Sequence, residues 1–196
     1  HGIGRRQRQM CIRDSKTCKV KQMALWGITD ADEAKPKWLT TAQKKEVFAN
    51  NSGWVVEAGS TQTGNDNTDA QPEVLCCVGD LATGIGAADI TEIEFITTAF
   101  DKSDGGNIDV RVRFNEQVTV NTSGGTPTLT ITNDTPARNL TATYLSGSTT
   151  NELIFRKTIA AANAATNAGD VLSIGANPLA LACLLYTSDA ADDLYR

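Results

Sequence analysis

The sequence predicts a mainly β protein, an antiparallel β-sandwich over residues 89–182 preceded by a small α+β domain at 23–88. Three observations predict it. Apolar and polar residues alternate with period two over many short runs in the second part, as in strands with one dry and one wet face. Turn residues separate those runs at short spacing, the layout of a sandwich. A composition break at Gly84 to Ala88 sets this part off from the mixed stretch before it, and each part has the size of a small domain.

In the first part, Thr40 followed by Gln43 has the form of a capping box. Thr41 to Ala49 carries helix formers around Val47 and Phe48, which predicts one short helix ended by Asn50, Asn51 and Gly53. Gly53 to Ala58 and Glu73 to Val78 read as two strands joined by Gly59 to Pro72, a polar loop rich in Asn, Asp, Thr and Gly. Trp26, Trp38 and Trp54 are expected to form the small core of this part. Trp26 has an alternative, docking into a neighbouring subunit, because aromatic anchors dominate interface energy.

In the second part the strand-like runs are Thr91 to Ala99, Asn107 to Asn115, Gln117 to Val120, Pro127 to Asn133, Leu140 to Leu145, Asn151 to Thr158 and Val171 to Ile174. Val110, Val112 and Phe114 alternate with Asp109, Arg111 and Arg113. Leu129 and Ile131 alternate with threonines, as do Leu140, Ala142 and Tyr144, and Leu153 and Phe155 continue the pattern. Ala160 to Ala168 is alanine-rich and reads, between strands, as a connection.

Both ends resemble laboratory DNA. Arg5 to Ser15 (RRQRQMCIRDS) resembles one translated frame of the transposase adapter used to prepare short-read sequencing libraries. Cys183 to Asp193 (CLLYTSDAADD) resembles its reverse complement in another frame. His1 to Gly4 then reads as a sample index whose reverse complement encodes Asp193, Leu194, Tyr195 and Arg196, the last residues of the chain. Residues 1–22 are therefore expected to be adapter and leader making few contacts, residues 183–196 adapter again, and the native frame is expected to open at Met23.

That trimming changes the function classes the composition excludes. Residues 23–182 carry ten basic and 19 acidic side chains, so the net charge moves from a formal −5 to −9, which disfavours nucleic-acid binding by counterion release. The one histidine, His1, falls in the index, which argues against Ser-His-Asp and Cys-His nucleophiles, histidine acid–base work and most catalytic zinc sites. The residues after Met23 lack the apolar stretch of a signal peptide, and no run has the length and hydropathy of a membrane span, so synthesis in a cytoplasm and no membrane partner are expected.

The remaining chemistry-bearing residues read more simply as structure. Adjacent Cys76 and Cys77 cannot span an ordinary disulfide, whose Cα separation of about 4.4–6.8 Å exceeds the ~3.8 Å between neighbours, and they are expected to alternate in and out of a strand as thiols. Asp101 to Asp109 (DKSDGGNID) is oxygen-rich like a calcium loop, but it lacks the spacing and closing Glu of an EF-hand, and Gly105 and Gly106 fit a turn between strands. Gly84 to Gly86 is too short for a phosphate loop. Glu92 and Glu94 share a strand face and are expected to point into solvent rather than into a catalytic cleft. No catalytic residue, cofactor or metal is expected.

Two segments resemble known families. Val110 to Val120, Thr126 to Thr130, Ala142 to Ser148 and Leu153 to Phe155 resemble the bacterial immunoglobulin-like modules repeated in large surface proteins. Met23 to Gly27, Asp30, Lys35 to Leu39, Gly53 to Val55 and Glu73 to Gly79 resemble the opening of structural proteins of marine T4-like tailed phages, with Cys76 and Cys77 standing where the family has Val-Ala. The resemblance implies a non-catalytic virion structural or decoration protein, assembled in the host cytoplasm, displaying an immunoglobulin-like domain on a head or tail surface. Its implied partners are other virion proteins, with a host-surface glycan or protein as a further one.

A bacterial cell-surface adhesin module is the first alternative, and should show an export signal and tandem repeats. A carbohydrate-binding accessory domain is the second, and needs exposed aromatics on one sheet, whereas Phe95, Phe100, Phe114, Tyr144 and Phe155 fall mostly in core phase. The family's closing strand has no counterpart after Leu179 and Leu181, where the adapter-like residues begin. Loss of about three inward side chains at roughly 1.5–3 kcal/mol each is comparable with a domain's ~5–15 kcal/mol, so the fragment alone is expected to be marginal. Leu184 to Tyr186 is expected to stand in for the missing strand.

Overall fold

Thr40 opens the first element by accepting a hydrogen bond from Gln43 N (3.3 Å), while Gln43 Oε1 accepts one from Thr40 N (2.9 Å), both halves of the expected capping box. Helix α1 (Thr41–Lys45) is the result. This computed structural model describes residues 35–135, 138–163, 165–180 and 184–187. Trp26, residues 1–22 and the last residues of the tail lie outside them.

The helix stops at Lys45 rather than at Ala49. Val47, Phe48 and Ala49 instead form strand β1 (Val47–Asn50), all three buried. Val and Phe favour the pleated backbone, and in a strand both faces of this short run find apolar partners. β1 pairs antiparallel with β2 (Gly53–Val56), Val47 opposite Val56 and Asn50 opposite Gly53. In the turn Asn50 Oδ1 accepts a hydrogen bond from Ser52 N at 2.8 Å.

Gly53 closes that turn at φ +128°, where a Cβ would lie 2.1 Å from Cys76 O and 2.5 Å from Val78 N. Both backbone strain and the clash oppose any side chain there. Gly53→Ala should therefore lower stability by about 1–3 kcal/mol, read as a fall in thermal midpoint, and an unchanged midpoint would refute this turn geometry.

Strand β3 (Glu73–Cys77) pairs with β2, leaving Cys76 half-buried against the first core and Cys77 exposed, the alternation expected of the pair. Helix α2 (Leu81–Ile85), which the sequence pattern did not anticipate, adds Leu81 and Ala82 to a core of Leu39, Val47, Ala49, Trp54 and Val56. Trp54 is the largest side chain there and is fully buried. Trp38 corrects the expectation of a tryptophan core: it is 62 % exposed, because the turn closed by Leu39 N and Pro36 O (3.2 Å) directs Leu39 inward in its place.

The second part is built on β5 (Gly106–Asn121), a single strand that runs through the break expected at Glu116. Ile108, Val110, Val112, Phe114 and Val118 are buried along it. Antiparallel to β5 lie β4 (Ile90–Phe95), from Ile90 opposite Phe114 to Phe95 opposite Val110, and β8 (Thr150–Ile159), from Gly106 opposite Ile159 to Arg113 opposite Glu152. Within and beyond the irregularity between Arg113 and Val118, β5 meets other partners besides β8. Ala49 of β1 pairs with Glu116 in parallel, and β11 (Leu184–Thr187) pairs antiparallel with Val118 to Asn121. Leu184 to Tyr186 thus occupies a strand position, as the sequence reading anticipated.

β6 (Thr128–Asn133) and β7 (Leu140–Ser146) complete the sequence β6-β7-β8-β5-β1-β2-β3, with the two-residue strands β9 (Leu172–Ser173) and β10 (Leu179–Ala180) on β6. The protein is mainly β and its described strands join in one open mixed sheet, mixed because β1 and β5 pair in parallel. The inward residues of β5 to β8 share one apolar cluster, in which Phe155 is fully buried and meets Tyr144 edge-on at 6.1 Å between ring centroids. The described residues of 160–170 carry no regular element between β8 and β9, in line with the connection expected there.

Candidate functional site

Two places gather polar side chains beyond what the strands need: a charged seam where the first part lies on the second, and a groove at one end of the second part.

The seam begins with cross-strand register. Glu92 of β4, Arg113 of β5 and Glu152 of β8 stand opposite one another, with Arg111 opposite Glu94 beside them. Opposite charges placed this way attract directly. Arg113 Nη1 lies 3.0 Å from Glu92 and its Nε donates to Glu152, while Arg111 lies 2.7 Å from Glu94 and 3.4 Å from Glu152. Lys45 of α1 pairs with Glu92 from the other part. Glu92 and Glu94 do share a face as expected, but the expectation that they simply point into solvent is corrected: Arg113 and Lys45 of α1 engage Glu92, and Arg111 engages Glu94.

Arg113 is only 7 % exposed. Burial alone would lower its pKa, but the hydrogen bond and charge of Glu152, with Glu57 and Glu92, hold the guanidinium above its ordinary value. The hydrogen bond from Lys45 and the nearby Arg113 keep the Glu92 carboxyl below its ordinary value.

Glu57, at the end of β2, reaches across the seam and accepts a hydrogen bond from Asn151 Nδ2 at 2.8 Å. Burial pushes its carboxyl up to about 7, against the lowering effect of that hydrogen bond. Lys35 donates to Lys44 O at 2.7 Å, and burial brings its ammonium down to about 8 although the charge of Glu57 opposes the shift. Glu46 accepts hydrogen bonds from Ser60 Oγ and from Gln62 Nε2 (3.3 Å), which ties the Gly59 to Pro72 loop to the same region. These contacts are side-chain pairs across packed elements.

The groove, of about 1000 Å³, runs between the β4–β5 loop and residues 166–172. Phe95, Phe100, Ile108 and Leu172 give it an apolar side, and Thr97, Thr98, Ser103 and Asn167 a hydroxyl and amide side. Its volume is at the upper end of ordinary ligand pockets, ~300–1000 Å³. Its carboxylates are already engaged. Asp170 accepts from Asn133 Nδ2 (2.7 Å), Asn167 N (2.7 Å) and Thr135 Oγ1 (3.1 Å), and the first two bonds especially keep its pKa low. Asp101 Oδ1 accepts from Ser103 N at 2.7 Å, forming the turn expected in place of a calcium loop.

Asp109, at the far end of that loop, is held by Arg156 through bonds of 2.7 and 2.6 Å that draw its carboxyl below the usual range. Asp101 and Asp109 are thus committed separately, and among the described residues no group of three or more His, Cys, Asp or Glu side chains could hold a metal ion. Gly84 lies inside α2, away from any phosphate-cradling turn. Of the aromatic residues weighed for ligand stacking, Phe114 and Phe155 are buried, Tyr144 is packed on the core, and only Phe95 and Phe100 line the groove.

Sequence reasoning missed Glu57, Lys35 and Asn151. The arginines of VRVRF in polar phase did signal a charged sheet face. Nothing in the run WVVEA signals that Glu57 ends beneath another part of the chain. No helix among the described residues is long and apolar enough to cross a membrane. Comparison with protein families, with curated proteins and with solved structures finds no match for this chain.

Proposed function

We propose that this chain is a non-catalytic structural or decoration protein of a phage virion, in which a small base, 23–88, carries an immunoglobulin-like module, 89–182. The observation that carries the reading is the pairing of two separate apolar cores through a seam of ion pairs centred on Arg113, an arrangement suited to holding a displayed module on a mount. The acidic composition and the motif resemblances of both parts support it, and fit protein partners in a particle better than nucleic acid or membrane. On the same reading the adapter-like ends, 1–22 and 183–196, are not native, and β11, which pairs with Val118 to Asn121 of β5, belongs to them.

Purified virus particles and cell-envelope fractions from the environment of origin provide the test. Peptides of residues 107–156 found by mass spectrometry in the particle fraction, together with head or tail genes beside the coding region, are expected. Recovery only from envelope fractions, beside secretion genes, would replace the proposal with the adhesin reading.

One observation favours a second reading, a carbohydrate-binding accessory domain: the groove sets Phe95 and Phe100 beside hydroxyl and amide groups. Retention of the chain on immobilised glycans, abolished by Phe100→Ala, would distinguish it from a purely structural role.

A further inference from the structure

Asn151 is the first residue of β8 to enter the core side of the seam, and it is 1 % exposed. Its Nδ2 donates to Glu57 Oε1 at 2.8 Å, yet its Oδ1 is buried with no hydrogen-bond partner among the described residues. An unpaired buried acceptor of this kind is costly, because it has given up the hydrogen bonds that water would supply. A carboxylate cannot relieve it, having no proton to donate, whereas a carboxylic acid can. The Nδ2 bond at 2.8 Å sets the amide against the Glu57 carboxyl, whose acid form carries the O–H that Oδ1 lacks.

We infer that Glu57 and Asn151 form a proton-dependent latch between the two parts of the chain: the neutral acid of Glu57 accepts from Asn151 Nδ2 and donates to Asn151 Oδ1, and ionisation removes the second bond. Closed, the pair is a two-hydrogen-bond ring between the end of β2 and the start of β8. Ionised while the seam is closed, it leaves a buried anion beside an orphaned amide oxygen, and opening the seam returns both to water.

The charges around Glu57 decide how strongly ionisation is opposed. Glu152 on β8 and Glu46 between α1 and β1 repel a carboxylate there, while Arg113 on β5 and Lys35 ahead of α1 attract one. Glu92 on β4 and Lys44 on α1 act on Lys35. Arg113 is already shared by Glu92 and Glu152, so it offers Glu57 little undivided charge. Burial of the carboxyl then prevails, and its pKa sits at about 7 against an ordinary 4.5.

The sign follows from linkage. A carboxyl with a raised folded pKa binds its proton more tightly when the seam is closed, so its contribution is complete below the ordinary pKa and is lost as pH rises through about 7. Lys35 acts in a separate window, since a depressed ammonium favours the closed form only as pH rises from about 8 towards 10.5. The latch is therefore shut in mild acid and weakest near neutrality.

Amide hydrogen exchange on the full chain tests this, followed over residues 53–57 and 150–154 and corrected for the intrinsic pH dependence of exchange. Between pH 5 and pH 7 the opening equilibrium of these amides should rise about 40-fold, from the two pKa values and the linkage relation. Glu57→Gln replaces the acid by an amide that donates and accepts at any pH, and should hold the opening at its mild-acid level throughout.

The infrared carboxylic-acid carbonyl band at pH 6 gives a second readout, expected in the unaltered chain and diminished in Glu57→Gln. An opening equilibrium that does not change between pH 5 and pH 7 would overturn the latch. So would a Glu57→Gln protein that keeps the slope of the unaltered chain, or an acid band of equal intensity in both.

Discussion

Phe155→Ala should lower the stability of the chain by about 3–5 kcal/mol, the cost of emptying a fully buried aromatic position. Phe155 pairs with Val110 across the β5–β8 ladder and with Tyr144 across the β7–β8 ladder, so it lies where three strands bring their inward residues together. Its edge contact with Tyr144 is lost as well, and Tyr144 also holds the β7–β8 turn by accepting a hydrogen bond from Ser148 N at 2.9 Å. Neighbours on stiff, paired strands cannot collapse far into the space, which places the loss towards the upper part of the range. Against a total of ~5–15 kcal/mol this is a large fraction, and the thermal midpoint followed by circular dichroism should fall by on the order of 10 °C. A loss under about 1 kcal/mol would mean that the second core is not packed around this residue.

Arg113→Met should be the most damaging change at the seam, at about 2–3 kcal/mol. Breaking a wholly buried ion pair costs about 3–5 kcal/mol, because the surviving charge is left in a poor solvent, while an exposed pair is worth ~0.2–1 kcal/mol. Arg113 itself is buried, but Glu92 and Glu152 keep 24 % and 20 % of their side-chain surface, so water relieves part of the penalty and the value falls between those limits. Arg113→Lys should not restore it, since an ammonium cannot bridge Glu92 and Glu152 with a planar fork. A double-mutant cycle with Glu152→Gln, monitored by denaturant unfolding, isolates the pair. Independent, additive effects of the two changes would show that the register between β5 and β8 does not couple them.

The effect of Arg113→Met on the latch has a direction too. Removing the guanidinium takes away one of the two cations that favour ionised Glu57, so the Glu57 carboxyl should move further up and the exchange transition at 53–57 should shift to higher pH. The seam would then respond to protons even though it is weaker overall, which separates its titration from its strength.

Much of the strand architecture is readable from the residues because it depends on local period. Val110, Val112 and Phe114 face one way whatever covers them, and the pleat sends Asp109, Arg111 and Arg113 the other way. The capping box of Thr40 and Gln43 is equally local, as is the alternation of Cys76 and Cys77, and the structure shows both.

Other features are settled by what covers each face. Val47 to Ala49 has the composition to continue a helix, and becomes β1 because pairing with β2 leaves all three side chains buried, Val47 and Ala49 in the first core and Phe48 opposite Val55, as a five-residue helix could not. Trp38 and Trp54 have the same side chain and opposite fates, one exposed and one fully enclosed, decided by a turn at Pro36 and by the hairpin at Gly53. Glu57, Lys35 and Asn151 are far apart in sequence, and the titration of Glu57 and Lys35 reflects water removed by packing between two parts of the chain. The sequence by itself determined which residues can alternate, cap and pair across a ladder, since those relations span a few residues or one register. The tertiary structure alone decided which polar groups lose their water, because desolvation depends on what comes to lie over a surface.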